Sequence, residues 1–332
     1  KIQNLIISNS SIDLRLDNKY QNSIVKNLNL IFDQIAIKSN SLNISLKSSS
    51  FESNEFGNLK DASLKLNKVY DNIYVDQLDL IYNEYSINGK GDLFYCLDNL
   101  SKNLENFVFN NFSLEATIPK KSFSKYEFLQ DIKIKNRFSG SISNLFSKFK
   151  ISVSDKSYSE GFFTMKFNSI DDVSIEGEKI YTVFQKDDVN KFFKTNSPDF
   201  LSREFKLLKN LELTTDFKSQ LNSFIEIDSK LNIDNGFIRS NIDLEKKENK
   251  WRVNNSTSFN NFYFYDFYQK LGKIKFSGFS SLSTVLKDLK SIESLNLKAS
   301  LDSFEINKRI LNDIYISLNK NFNDTYNLTT NI

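Results

Sequence analysis

The chain has 332 residues, 26% charged and 14% aromatic, with 44 Lys and Arg against 41 Asp and Glu. It has no His and a single Cys, Cys96. That excludes a His general base, a His–metal site, an intramolecular disulfide, a Cys-rich zinc site and an iron–sulfur cluster. The near-neutral balance offers no basic block for nucleic acid, and 31 Phe argue against a disordered chain.

Period-two alternation, the mark of a strand with one buried face, dominates. Ile12, Leu14 and Leu16 begin it. Leu42, Ile44 and Leu46 continue it, alternating with Asn43 and Ser45. Ile87, Gly89, Gly91 and Leu93 follow, then Phe112, Leu114, Ala116 and Ile118. Phe163, Met165 and Phe167 repeat the pattern, as do Ile225, Ile227, Leu231 and Ile233. Leu295, Leu297, Ala299 and Leu301 come next, and Ile314, Ile316 and Leu318 nearly close the chain. Polar residues at Asp17-Asn18, Ser39-Asn40, Asn83-Glu84, Asp155-Lys156, Asn235-Gly236 and Asn321 to Asn323 mark turns. Strand candidates recur roughly every 10 to 13 residues, which predicts a meander of roughly 22 to 26 antiparallel strands, one face apolar and the other wet.

Four segments break the alternation. Asp187 to Lys194 starts acidic and fits a short helix. Lys121 to Leu129, Phe262 to Leu271 and Ser283 to Leu289 are read as short helices in the same way. These breaks expose a loose repeat, about 121–186, 187–260 and 261–332. No Gly- or Pro-rich linker divides the chain, so 1–332 is read as one elongated β segment of a longer protein. No apolar run is long enough to span a bilayer. The Asn and Lys excess is read as a signature of A/T-rich codons.

Nothing in the sequence assembles a catalytic site. Asp171-Asp172 and Asp187-Asp188 are adjacent pairs, better suited to a turn or a helix start. Gly89-Lys90-Gly91 lies inside an alternating run and lacks the helix that a phosphate loop needs. Cys96 has no activating base and is read as a buried thiol. Lys246-Lys247 sits between Glu245 and Glu248, a mixed-charge turn.

The stretch FYFYDFYQKLG (Phe262 to Gly272), with KIKFSGFSSL (Lys273 to Leu282) and the run from Leu286 to Leu318, resembles the TamB family of the AsmA-like superfamily, in its Bacteroidota-type branch. FSGSISNL (Phe138 to Leu145) and the run Ile73 to Leu93 resemble the same family's repeated strands. The chain departs from the family pattern in its sparse Gly. The resemblance implies an all-β, elongated repetitive antiparallel sheet, curled into an open hydrophobic groove with a few short helices. It implies a non-enzymatic factor of outer-membrane biogenesis that conducts phospholipid between inner and outer membrane and supports outer-membrane protein assembly. Its place would be the periplasm, anchored to the inner membrane, with a TamA- or BamA-like barrel as partner. No cofactor or metal is expected. On that reading the groove residues are Leu42, Ile44, Leu46, Ile87, Leu93, Leu114, Phe163, Met165, Phe167, Ile227 and Leu297. Two other architectures suit the alternation: an adhesin-like extended β protein with a dry core, and a transmembrane β-barrel.

Overall fold

A computed structural model describes residues 1–14, 23–53, 57–95, 107–123, 130–169, 172–196, 209–233, 236–248, 250–263, 274–287, 291–306, 308–320 and 325–331. The chain divides into two compact units, 1–153 and 154–332. The division falls inside the first expected repeat, 121–186.

The first unit holds nine strands: β1 (Ile2–Leu14), β2 (Ser23–Lys38), β3 (Ser41–Ser53), β4 (Gly57–Val69), β5 (Asn72–Tyr82), β6 (Tyr85–Tyr95), β7 (Phe107–Ile118), β8 (Ile132–Ser141) and β9 (Asn144–Ser152). Each pairs antiparallel with the next. A 3-10 turn, Lys120–Phe123, precedes β8.

The second unit holds ten: β10 (Tyr158–Ser169), β11 (Asp172–Phe184), β12 (Leu211–Gln220), β13 (Phe224–Ile233), β14 (Gly236–Lys247), β15 (Lys250–Tyr263), β16 (Ile274–Lys287), β17 (Ser291–Ile306), β18 (Arg309–Lys320) and β19 (Tyr326–Asn331). They too form an antiparallel meander. Among the described residues, neither unit pairs its first strand with its last. The fold is all-β, and each sheet is open rather than a barrel.

The expected helix at Asp187 is present as α1 (Lys186–Asn196), with Asp187 and Asp188 in its first turn. Asp188 accepts hydrogen bonds from Ser154 Oγ at 2.6 Å and from Ser157 Oγ at 2.5 Å, and Ser157 Oγ in turn accepts the Gln185 N–H. Ser157 is 1% exposed, so this polar knot fixes the start of α1 against the entry to β10. Burial is affordable there because every group has a partner.

Of two other expected helices, the described parts are strand. Phe262 and Tyr263 end strand β15, and 264–271 lie outside the described residues. Ser283 to Lys287 belong to β16, with 288–289 outside. The first segment begins at a register shift, where Asn260 and Asn261 stand between Phe259 and Phe262; such a bulge brings positions i and i+3 to the same face, as on a helix. Ser283 to Lys287 instead pair one for one with Lys250 to Asn254, and the extra residue at the shift beside Val285 is Glu293 on β17. Of Lys121 to Leu129, only the 3-10 turn is described. Cys96, Asp171 and the turn at 321–323 also lie outside the described residues.

The strands run from 6 to 16 residues, longer than the apolar runs alone suggest. Ser, Thr and Asn extend them without spoiling the pairing. The Asn excess has a structural use that codon bias does not supply. Twelve described non-glycine residues have positive φ, and seven of them are Asn: Asn4, Asn9, Asn27, Asn83, Asn111, Asn222 and Asn261. Asn tolerates the left-handed region because its short polar side chain bonds locally. It therefore takes turn and bulge positions that Gly would otherwise hold.

Candidate functional site

Residues directly opposite in an antiparallel pair point to the same face. The registers therefore sort the side chains into rows that cross the strands. In the first unit one row runs Leu46, Leu64, Leu78, Gly89, Leu114, Asn136, Phe149. A neighbouring row runs Ile35, Ile44, Leu66, Val75, Gly91. Ile87 lies in a third, between Leu80 and Ala116. Leu42 and Leu93 share a fourth, separated by Lys68 and Ile73. The Lys68 ammonium turns away to the Tyr70 carbonyl.

In the second unit Phe163, Ile227 and Leu297 fall in a single row: Phe163, Gly177, Phe217, Ile227, Ile242, Asn255, Leu282, Leu297, Leu318, Leu328. Met165 heads the next row, through Ile175, Ser219, Ile225, Leu244 and Val253. Phe167 pairs with Val173 beyond it. Thus six sequence candidates share one face of the first unit, and five share one face of the second.

All eleven are half-buried. The opposite faces carry exposed polar and charged residues: β8 alternates half-buried Ile132, Ile134, Asn136 and Phe138 with exposed Lys133, Lys135 and Arg137. The apolar face is therefore the enclosed one, yet it is not sealed. Only ten apolar residues among those described are buried, among them Val75, Phe112 and Phe262.

Sequence reasoning missed two features. The first is a set of partners that complete the rows, such as Leu64, Leu78, Phe217 and Leu282. Their own alternation was present to be found. The second is a hydroxyl seam on the apolar face of the second unit: Thr215, Ser229, Ser240, Thr257 and Ser280 oppose one another in turn. Ser240 Oγ accepts from Asn255 Nδ2 at 2.7 Å and lies 3.1 Å from Thr257 Oγ1. Ser229 Oγ donates to the Ser240 carbonyl, so the middle of the seam is bonded internally. No sequence period marks them, because Ser and Thr are equally common on the wet face.

The wet face of the second unit holds an open depression lined by Glu176, Glu178, Asp216, Lys218, Glu226, Asp228 and Asp243. Two of its six carboxylates, Glu176 and Asp228, are matched by cations. Lys218 lies 2.6 Å from Glu176, which raises the lysine pKa. Arg239 grips Asp228 through two nitrogens, which holds that carboxyl below its ordinary range. Burial, and then the hydrogen bond that its hydroxyl donates to the Glu212 carboxylate, raise the Tyr181 pKa. Among the described residues no group of three or more carboxylates or thiols is placed to hold a metal ion. Nor is any described helix long and apolar enough to cross a membrane.

No protein-family model, curated protein or solved structure matches the chain.

Proposed function

We propose that the chain is the lipid-conducting part of a non-enzymatic envelope-biogenesis factor of the TamB type. The observation that carries this reading is the open apolar face: continuous in-register rows of Leu, Ile and Phe that stay half-buried. Apolar surface left in that state gains by being covered. Acyl chains would cover it at about 0.8 kcal/mol per buried CH₂. A row of similar side chains repeated strand after strand offers a chain no unique resting place, which suits passage rather than storage. Polar outer faces keep the same sheets wetted on the other side.

In this reading the ligand is phospholipid. The protein works in the periplasm, between an inner-membrane anchor and an outer-membrane assembly barrel of the TamA or BamA kind, and supports assembly there. No residue performs a reaction.

The test is to produce residues 1–332 in a bacterial periplasm, purify them without detergent, and measure extracted phospholipid by mass spectrometry. Bound phospholipid is expected in the parent protein. It should be strongly depleted in Ile44→Glu with Ile227→Glu, while the β-type circular dichroism is kept. A parent protein that carries no phospholipid would sink the proposal.

A further inference from the structure

The same local construction occurs once in each unit. Strand β7 contains Phe109-Asn110-Asn111-Phe112, and β15 contains Phe259-Asn260-Asn261-Phe262. The following strand supplies Phe138-Ser139-Gly140 in the first unit and Phe276-Ser277-Gly278 in the second. The pairings match: Phe112 opposes Phe138 and Phe109 opposes Gly140, as Phe262 opposes Phe276 and Phe259 opposes Gly278. In each case two Asn face one Ser, which is a β-bulge. The second Asn has positive φ in both, 57° at Asn111 and 48° at Asn261. The three rings close on each other. Phe109 and Phe112 lie 5.8 Å apart, and Phe109 and Phe138 6.1 Å. Phe259 and Phe262 lie 6.3 Å apart, and Phe262 and Phe276 5.0 Å.

Glycine seats the bulge from the preceding strand. A Cβ on Gly91 would stand 2.5 Å from the Phe112 Cα, and one on Gly236 would stand 2.3 Å from the Asn260 carbonyl oxygen. Four of the nine glycines in the chain thus surround the two knots. In the second unit the lone opposing residue also caps the bulge: Ser277 Oγ accepts the Asn261 N–H at 2.9 Å. The same logic governs two further bulges. Asp216 Oδ1 accepts the Lys179 N–H at 2.6 Å, and Asn29 Oδ1 accepts the Asn9 N–H at 3.1 Å.

The extra Asn is not needed for patterning. With one Asn removed, Phe109-Asn-Phe112 alternates at period two, and both rings still reach the apolar face. What the extra residue adds is a bend and a stronger local twist. We infer that each Phe-Asn-Asn-Phe knot is a curl-setting clamp: its bulge bends the sheet of its own unit, its three rings lock the bend, and together they set how far the apolar face opens. This holds whether or not that face takes lipid.

The experiment measures paired spin-label distances by electron–electron resonance in a Cys96→Ser background. Labels at Lys65→Cys and Lys133→Cys read the first unit. Labels at Asn241→Cys and Lys298→Cys read the second. Deleting Asn111 should leave a folded protein with a longer main distance in the first unit and an unchanged one in the second. Deleting Asn261 should do the converse. Asn111→Gly, which keeps both the residue count and the positive φ, should leave the distance unchanged. A folded deletion variant with the parent distance would overturn the inference. So would a deletion variant that cannot fold while Asn111→Gly folds, since the second Asn would then be a requirement of the fold rather than of its curl.

Discussion

The two units solve one problem with different side chains. In the first, the centre of the apolar face is aliphatic, and space is made by removing side chains at Gly89 and Gly91. Gly89 lies under the Leu78 and Phe112 side chains, where a Cβ would meet each at 3.4 Å. In the second, the face is split by the seam Thr215, Ser229, Ser240, Thr257, Ser280, with apolar rows on either side. Both devices keep bulk off the enclosed side of a bent sheet. Glycine does so at a cost in backbone freedom. Serine and threonine do so without that cost, provided that their hydroxyls find partners, as Ser240 and Thr257 do. The difference teaches that an enclosed face need not be uniformly apolar to be continuous; small polar residues can interrupt it where their hydroxyls are bonded to one another.

The comparison breaks most visibly at the aromatic knots, which the units share. Phe112 is 8% exposed and Phe262 is 6% exposed. Phe112→Ala and Phe262→Ala should each cost about 3–5 kcal/mol, read by urea unfolding. The two values should agree within about 1 kcal/mol if the knots are equivalent, allowing for differences in local collapse. A smaller effect sharpens the contrast at the seam. Ser240→Leu makes the second unit resemble the first. On an open face it should cost under about 1 kcal/mol, whereas in a sealed, dry core the added bulk would cost about 1–3 kcal/mol. Thermal melts of this variant therefore separate the open groove from an adhesin-like packed interior.

The smallest effect belongs to the wet face. The Asp228 carboxyl is held below its ordinary range by Arg239, so the pair stabilises the fold above the unfolded carboxylate range and ceases to do so as pH falls through the folded value. Both side chains are more than a third exposed, so solvent screening limits Asp228→Asn to under about 1 kcal/mol at neutral pH. The difference from the parent should vanish in acid, and high salt should shrink it. A large, salt-independent loss would mean that the pair is more enclosed than its exposure indicates.

Several parts of this molecule are legible without coordinates. Alternation at Leu42 to Leu46, Ile87 to Leu93 and Phe163 to Phe167 identifies the strands, and the acidic start at Asp187 identifies α1. Ser283 to Lys287 is regular strand, and only its pairing with Lys250 to Asn254 identifies it. At the other misread segment the backbone itself mimics a helix. Phe259 and Phe262 are three residues apart and face the same way, which is the spacing of a helix turn. A bulge produces that spacing in a strand, and only the pairing with Gly278 and Phe276 reveals it. The hairpin expected at Asn235-Gly236 joins β13 to β14: the ladder runs without a shift down to Ile233 opposite Gly236, so Gly236 begins the next strand.

By itself the amino-acid sequence determined that the chain is antiparallel β with one apolar and one wet face, because period two in hydrophobicity has no other economical fold. It also determined the absence of His chemistry. Tertiary structure decided which strands' apolar positions fall into common rows, where Asn rather than Gly holds positive φ, and how far the apolar face is covered. Those properties depend on register, and a register is a relation between distant segments that a local period cannot express.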